Sequence, residues 1–402
     1  MKKLTAILLA TLMLISILVS CGGNDETTTT ETPTTEAPTT EAPTTEAPTT
    51  EAPTTETPTT EIPTTKPIVT YNIKYELNGG TNNEDNPSTY NTGDTITLSF
   101  PTKEDYMFMG WYTDSEFTNE IKEIADKTGD LKLYAKWLPV EEIIEFRLND
   151  ENEYVVKRIK NTAKTVIIPS SYKGLPVVMY KYYNFINDDL TDNDVLEEIV
   201  FTSGISITKY VSFANATSLK RIIVEEENPY MKSIDGVLYS KDGKELICYP
   251  AAKEGTSYVI KDGTESVNRH AFTDNKYIES VVVPDSITFI DAYAFSGCTS
   301  LKDVKLSKNL EIIDDCVFQN CVSLKKITIP DSVKSIGHFV FDGCTSLTEV
   351  YIPKGVENIS YDIFRDAPNV TVYCKAEEKP SGWDTYWHRD AKEVIWGYKA
   401  EE

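Results

Sequence analysis

Histidine is scarce in this chain, with three copies in 402 residues. His270, His338 and His388 stand alone, outside the H-E-x-x-H spacing of zinc proteases and the G-x-S-x-G turn of hydrolases. The seven cysteines do not include the paired CxxC spacings that a structural zinc site needs. The sequence therefore gives no support for a catalytic centre, and we expect a protein without enzymatic activity, bound metal or cofactor.

Positive charge is also in short supply. The chain has 39 lysines and arginines against 63 aspartates and glutamates, a formal net charge of −24 at pH 7. A surface this acidic repels the phosphate backbone of DNA or RNA. We therefore expect no nucleic-acid partner.

The acidic residues themselves form no recognisable site. Residues 187–194 read Asn-Asp-Asp-Leu-Thr-Asp-Asn-Asp but lack the spacing and the glycine of an EF-hand loop, so a solvated loop is the preferred interpretation over a calcium site. Neighbouring acids such as Asp314 and Asp315 are too common in this chain to indicate the paired carboxylates of a glycosidase.

Long apolar runs are absent except at the start. Lys2 and Lys3 precede an apolar stretch, residues 4–19, which has the length of a signal-peptide core and is short for a membrane span. The stretch ends in Leu-Val-Ser-Cys-Gly around Cys21 and resembles a bacterial lipobox. The resemblance implies that residues 1–20 are removed and that Cys21 is diacylated, which anchors the chain in the cell membrane. The alternative is an ordinary secretory signal with an incidental cysteine.

The next segment, residues 21–67, repeats Thr-Thr-Glu-Ala-Pro with small variations. It has almost nothing apolar to bury and cannot offset the entropy cost of ordering. Regular proline and self-repelling glutamate favour an extended stalk with a reach on the order of 100 Å. A flexible linker without a defined reach is the alternative, and both place the later domains outside the cell.

Residues 71–138 predict a small β-rich domain. Strand-like alternation from Tyr71 is followed by the turn sequence Asn78-Gly79-Gly80, then by Gly110-Trp111-Tyr112 and a closing Leu133-Tyr134-Ala135-Lys136-Trp137. These motifs resemble the internalin-B-type repeat, also called the Listeria–Bacteroides repeat. The resemblance implies a β-grasp-like module that serves as a spacer or a binding unit. Trp111 and Trp137 fit a core better than a ligand-stacking surface in so small a domain.

A fixed repeat fills the rest of the chain. Phenylalanines recur every 23 residues from Phe272 to Phe364, and cysteines keep the same step at Cys298, Cys321 and Cys344. A period in the twenties is typical of a solenoid whose coils bury their apolar faces only against each other.

The repeated pattern Leu-x-x-Ile-x-Ile-Pro, followed by Ala-Phe-x-x-Cys, resembles the BspA-like leucine-rich repeat. The resemblance covers residues 143–398 and implies a mainly β solenoid that binds host components, other cells or matrix without catalysis. Residues near 230–250 interrupt the period and predict a β-hairpin around Asp242-Gly243 that projects from the stack. Residues 373–398 resemble the C-terminal cap of that family.

Each coil strand has three central residues, and the outer two must face the core. The middle residue then faces the open side, and coils about 4.8 Å apart align these residues into one stripe. The stripe comprises Val200, Ile223, Val259, Val282, Lys305, Thr328 and Tyr351. Its first part is apolar, which suggests a ligand-binding surface unless the hairpin or the residues before the first coil fold over it.

The three periodic cysteines occupy one position in successive coils. Parallel Cβ directions give poor disulfide geometry, so a ladder of buried thiols is preferred over disulfide bonds.

Together these observations predict a lipid-anchored protein on the outer face of the cell membrane. We expect its solenoid to bind an extracellular protein or a glycan in adhesion. The alternative is a structural envelope protein that binds other surface components of the same cell; a carbohydrate-active enzyme is the least favoured.

Overall fold

The computed structural model describes residues 67–160, 162–179, 194–205, 213 and 216–399. The predicted signal peptide, Cys21, almost all of the stalk and residues 187–193 of the acidic segment lie outside the described residues. Within the described part of the chain, no helix has the length and apolarity needed to span a membrane.

The first element group is a small β domain, as predicted. Its strands are β1 (Thr70–Glu76), β2 (Thr89–Asn91), β3 (Ile96–Thr97), β4 (Tyr106–Tyr112), β5 (Glu120–Ile121), β6 (Glu123–Ile124) and β7 (Leu131–Pro139). Five of them form a mixed sheet in the order β2-β1-β7-β4-β5, with β1 and β7 parallel. Trp111 is buried in the domain core and Trp137 packs against it, so the core interpretation of both tryptophans is confirmed.

The small domain leads directly into the solenoid. After β7 come α1 (Val140–Ile143), β8 (Ile144–Leu148), β9 (Tyr154–Ile159), β10 (Thr165–Ile168), β11 (Ser171–Tyr172) and β12 (Leu175–Val178). Strands β8 and β9 pair antiparallel as the predicted hairpin. Met107 of β4 is buried in the same cluster as Ile143 and Val166, so the two regions share apolar packing.

One side of the solenoid is built from short parallel strands that pair in three successive groups, and we call this side the first sheet. They are β10 with β13 (Glu198–Phe201) and β14 (Arg221–Val224), then β18 (Ser257–Val259), β20 (Ser280–Val282) and β22 (Asp303–Lys305), and finally β24 (Lys326–Thr328), β26 (Glu349–Ile352), β28 (Thr371–Cys374) and β29 (Glu393–Ile395). The predicted inward residues of these strands, such as Val281, Ile327 and Val350, are buried.

The second sheet lies on the other side of the coils and is continuous. It contains β15 (Met231–Ile234), β16 (Val237–Ser240), β17 (Glu245–Cys248), β19 (Ser266–Val267), β21 (Phe289–Ile290), β23 (Ile312–Ile313), β25 (Ser335–Ile336) and β27 (Asn358–Ile359) in that order. Parallel pairing runs from β17 to β27, with a step of 21 residues from Leu246 to Val267 and of 23 residues from β19 onward, for example Ile290 beside Ile313.

The hairpin around Asp242-Gly243 exists, but the prediction that it projects from the stack was wrong. Strands β16 and β17 pair antiparallel, and β17 continues the second sheet by pairing with β19. Val237, Tyr239 and Leu246 are fully buried. Because both strands carry apolar side chains that face the core, the hairpin is built into the wall of the solenoid.

The core contains two periodic ladders. The phenylalanine rings stack from Phe272 to Phe364 with centroid separations of 4.7, 5.5, 5.8 and 5.6 Å. The Cys298, Cys321 and Cys344 thiols are free and buried, and each donates to the carbonyl oxygen of a phenylalanine in the preceding coil at 3.0–3.2 Å. The predicted ladder of buried thiols is therefore confirmed. Burial raises the pKa of Cys344 to about 12.

The C-terminal segment closes the last coil. Trp383 and Trp387 are buried with ring centroids 4.8 Å apart, and Trp383 Nε1 donates to the Val356 carbonyl oxygen at 3.0 Å. These aromatic rings cover the end of the phenylalanine stack, since Phe364 lies 6.2 Å from Trp387.

Candidate ligand-binding site

Most of the predicted stripe lies on the open side of the first sheet. Val259, Lys305 and Thr328 are exposed, with Val259 67% accessible, whereas Ile223, Val282 and Tyr351 are half-buried. Pairing in register places Val259, Val282 and Lys305 in one row and Thr328 and Tyr351 in another. The structure thus brings these residues together as a surface.

Val200 is the exception, since only 4% of it is exposed and the expectation that it faces solvent was wrong. It pairs in register with Ile167, and Ile167 packs against the core of the small domain. Contact between β4 and β10 places the small domain against this end of the sheet. The open surface therefore belongs to the later coils.

A cavity of about 360 Å³ lies at the carboxyl ends of the last strands of the first sheet. We call it the tyrosine cradle, and its lining residues are Lys308, Thr328, Ile329, Pro330, Asp331, Tyr351, Ile352, Pro353, Tyr373, Lys375 and Tyr398. A volume of this size falls within the range of small-ligand sites in proteins. Two stripe residues, Thr328 and Tyr351, belong to it.

Three tyrosines form its aromatic wall. Tyr351 and Tyr373 are paired in register on β26 and β28, and their rings stack at 4.8 Å with planes 8° apart. Tyr398 comes from the C-terminal segment, and its ring lies 5.3 Å from Tyr351 and 5.0 Å from Tyr373 at 59° to both. A hydrogen bond from Tyr398 N to the Cys374 carbonyl oxygen fixes that segment beside β28.

The orientation of Tyr351 is set by charged neighbours. Its hydroxyl donates to Glu349 Oε2 at 3.0 Å, and Lys326 Nζ lies 4.7 Å from the ring centroid. Lys326 and Glu349 are themselves paired at 3.3 Å. Desolvation and the Glu349 carboxylate raise the pKa of Tyr351 to about 12. The hydroxyl is therefore neutral at physiological pH and remains a hydrogen-bond donor.

The ammonium groups at the cradle are matched by carboxylates. Lys375 Nζ lies 3.2 Å from Asp331 Oδ1, spanning the intervening coil, and Lys308 Nζ lies 3.5 Å from Asp285 Oδ2. Both pairs are largely exposed, so each adds little to stability. Their consequence is a rim that offers hydrogen-bond donors and acceptors with its charges locally balanced.

Proline removes a donor from the backbone ladder at the cradle. On β26 the Ile352 carbonyl oxygen accepts from Lys375 N at 3.0 Å. Strands β24 and β26 keep the same register, and Ile329 N donates to the Tyr351 carbonyl oxygen at 2.9 Å. In this alignment the residue whose N–H would donate to the Ile329 carbonyl oxygen is Pro353. Proline has no N–H. The Ile329 carbonyl therefore lacks its ladder partner at the cavity.

The histidines do not gather into a site. His270 stacks on Tyr293 at 4.9 Å, His338 lies 4.1 Å from Tyr361, and His388 lies 5.0 Å from Trp387. His270 and His338 lie in the turns of different coils, and His388 lies in the C-terminal segment. Among the residues that the structure describes, no group of three histidine, cysteine or acidic side chains is placed to hold a metal ion.

Sequence reasoning missed Tyr373, Tyr398, Lys308, Asp331 and Lys375. Tyr373 could have been predicted, since it follows Tyr351 in the same outward row after a step of 22 residues instead of 23. Tyr398 carries no periodic signal, because it reaches the cradle from the cap.

Family comparisons agree with this architecture. Residues 256–376 match the BspA type leucine rich repeat region in six copies, and residues 71–136 match the Listeria-Bacteroides repeat domain. The solenoid carries a BspA-type leucine-rich repeat region. Within it, the first-sheet strands from β18 to β28 provide both the exposed part of the stripe and most of the cradle. No curated protein sequence matches the chain.

Several solved structures are similar to it. A leucine rich cell surface protein from Faecalibacterium prausnitzii A2-165 has 18% identity and a TM-score of 0.34, covering 64% of this chain and 93% of that one. The pneumococcal vaccine antigen PcpA has 17% identity and a TM-score of 0.40, covering 63% and 96%. A leucine-rich repeat protein from Bacteroides ovatus ATCC 8483 has 18% identity and a TM-score of 0.38, covering 63% and 70%.

Proposed function

We propose that this chain is a binding protein displayed on the outer face of a bacterial cell membrane. Its lipid anchor is Cys21, residues 21–67 raise it from the membrane, and its BspA-type repeat region engages an extracellular protein or glycan. The lipobox-like sequence around Cys21 and the acidic, proline-rich repeat support the display. The role is adhesion rather than catalysis.

The tyrosine cradle is the observation that carries the proposal. Three tyrosines, two prolines and two lysines line one cavity, together with the exposed stripe residue Thr328. Aromatic surface with a few oriented polar groups is the usual composition of a binding site.

The test is binding of the purified full chain to an array of matrix proteins, mucins and glycans. A stripe variant, Val259→Lys with Val282→Lys, places two ammonium groups on the open face, and Tyr398→Leu alters the cradle. A matched control, Tyr230→Lys with Tyr277→Lys, changes two tyrosines that are 56% and 54% exposed elsewhere. We expect a ligand whose binding is lost in the stripe or cradle variant and retained in the control.

Two results would contradict this function. One is equal binding by all variants to every ligand found. The other is an empty array together with crosslinking on intact cells that recovers only envelope components of the same cell, which is the outcome that the structural alternative predicts.

A further inference from the structure

We propose that the tyrosine cradle is a subsite for an uncharged sugar residue of a glycan. The inference rests on the proposed function, since it names the ligand class for a surface already argued to bind. It depends on four properties of the cavity: its aromatic wall, its balanced charge, its free backbone acceptor and its position within the sheet.

The first property is the pairing of apolar surface with polar rims. A sugar ring presents C–H groups on its faces and hydroxyl groups at its edges. The cradle offers Tyr373, Tyr398 and Pro353 as apolar surface, with the Lys375–Asp331 pair at its rim. Such alternation suits a small amphipathic ring better than a purely aliphatic ligand.

The second property is charge. Lys308, Lys326 and Lys375 each have a carboxylate within 3.5 Å, namely Asp285, Glu349 and Asp331. An anionic ligand would have to compete with these carboxylates in a chain whose net charge is −24. An uncharged ligand gains hydrogen bonds from both members of a pair and disturbs neither.

The third property is the combination of donors and acceptors. Lysine ammonium groups donate, while the Asp331 carboxylate and the Ile329 carbonyl oxygen accept. Hydroxyl groups both donate and accept, so a polyhydroxylated ring is able to satisfy this mixture. In particular, a sugar hydroxyl supplies the donor that Pro353 cannot give to the Ile329 carbonyl.

The fourth property is position. The cradle lies across the carboxyl ends of β24, β26 and β28, and of these three strands only β24 is an edge strand of its four-stranded sheet. A peptide that binds by strand addition needs an unpaired lateral edge. The remaining peptide mode, a proline-rich segment against aromatic rings, is distinguished by experiment.

The experiment measures dissociation constants of the purified full chain for neutral hexose, N-acetylhexosamine and sulfated or uronate-containing oligosaccharides, and for a proline-rich peptide. Two single variants alter the cradle, Tyr398→Leu and Lys375→Met. Their controls are Tyr277→Leu and Lys354→Met, which change exposed residues outside the cavity lining. Thermal unfolding midpoints confirm that each variant is folded.

We expect a neutral oligosaccharide to bind about tenfold more weakly to each cradle variant than to the unchanged chain, and the controls to bind as the unchanged chain does. Preference for sulfated or uronate-containing chains would overturn the inference, as would cradle-dependent binding of the proline-rich peptide alone. Neutral sugar binding that both cradle variants retain would also overturn it. If a protein ligand binds through the stripe while no sugar binds, the inference fails and the proposed function stands. If neither class of ligand binds and crosslinking on intact cells recovers only envelope components of the same cell, the proposed function itself fails.

Discussion

Gly343 occupies a corner of the coil where the chain leaves no room for a side chain. Its φ is +69°, and a Cβ atom would overlap Oδ1 of Asn320 in the preceding coil. Two coils earlier, a Cβ atom at Gly297 would likewise overlap Oδ1 of Asp274 in the preceding coil. Corner positions at the 23-residue step thus read Asp274, Gly297, Asn320, Gly343 and Asp366, all with positive φ. Glycine fits at positions 297 and 343 because the Asp274 or Asn320 side chain of the preceding coil occupies the space that a Cβ atom would need.

This arrangement predicts the effect of Gly343→Ala. The substitution adds backbone strain at positive φ and a clash with Asn320, so we expect a loss of about 2–3 kcal/mol in the free energy of unfolding. Urea unfolding measures it. The control is Gly263→Ala, whose φ is +87° but whose Cβ would meet nothing within 4 Å, and which therefore carries only the backbone cost.

A double variant separates the two contributions. Asn320→Gly combined with Gly343→Ala removes the clash and should recover the difference between Gly343→Ala and its control. Equal losses for Gly343→Ala and Gly263→Ala would show that the packing of one corner on the next is unimportant.

At the scale of the elements, ion pairs link residues just before successive first-sheet strands. Glu197, before β13, accepts from Lys164 before β10 and Lys220 before β14, each at 2.8 Å. Glu279 and Lys302 form an equivalent pair at 2.8 Å three coils later. Hydrogen bonds from its two lysines lower the pKa of the Glu197 carboxyl from its ordinary 4.5 to about 2.

The direction of the Glu197 shift sets a pH dependence. Because the folded pKa lies below the unfolded value, the stabilisation is fully present above pH 4.5 and is lost as the pH falls toward 2. We expect Glu197→Gln to lower the unfolding midpoint slightly at pH 7 and low salt, and to match the unchanged chain near pH 2. The Glu197 side chain is 31% exposed and its partners Lys164 and Lys220 are 72% and 49% exposed, so the effect should shrink in high salt. A midpoint difference that persists at pH 2 would contradict the assignment.

At the scale of the whole described chain, the small domain and the solenoid are joined through packing. Met107 lies in the cluster of the first coils, and Ile167 of β10 packs against the small-domain core. Asp105 adds two hydrogen bonds, from Lys173 N to its carboxylate at 2.8 Å and from Val140 N to its carbonyl oxygen at 3.0 Å. The Listeria–Bacteroides repeat therefore covers the first coils and is more than a flexible spacer.

This packing predicts that the two regions unfold together. Differential scanning calorimetry of the full chain should show one transition for them, and Met107→Lys should split it, because a buried ammonium without a partner costs several kcal/mol. Met107→Leu is the control, since it keeps an apolar side chain of similar volume and should preserve the single transition. Two separate transitions in the unchanged chain would contradict the shared core.

The sequence by itself determined the repeating part of this protein. The inward strand residues, the phenylalanine stack, the thiol ladder and the turn at Asp242-Gly243 all follow from local patterns. They were predictable because every coil places equivalent positions in the same environment, so one coil describes its neighbours. The motifs of the small domain were likewise enough to predict its strands and its tryptophan core.

Only the tertiary structure decided the contacts between segments with no periodic relation. It buried Val200 at the end where the small domain packs, built the hairpin into the second sheet, and placed Tyr398 of the cap beside Tyr351 and Tyr373. The cradle is completed because the C-terminal segment runs back beside β28 and places the Tyr398 ring against Tyr351 and Tyr373. Period and pattern specify what each coil buries, whereas long-range packing determines which part of the open face remains accessible.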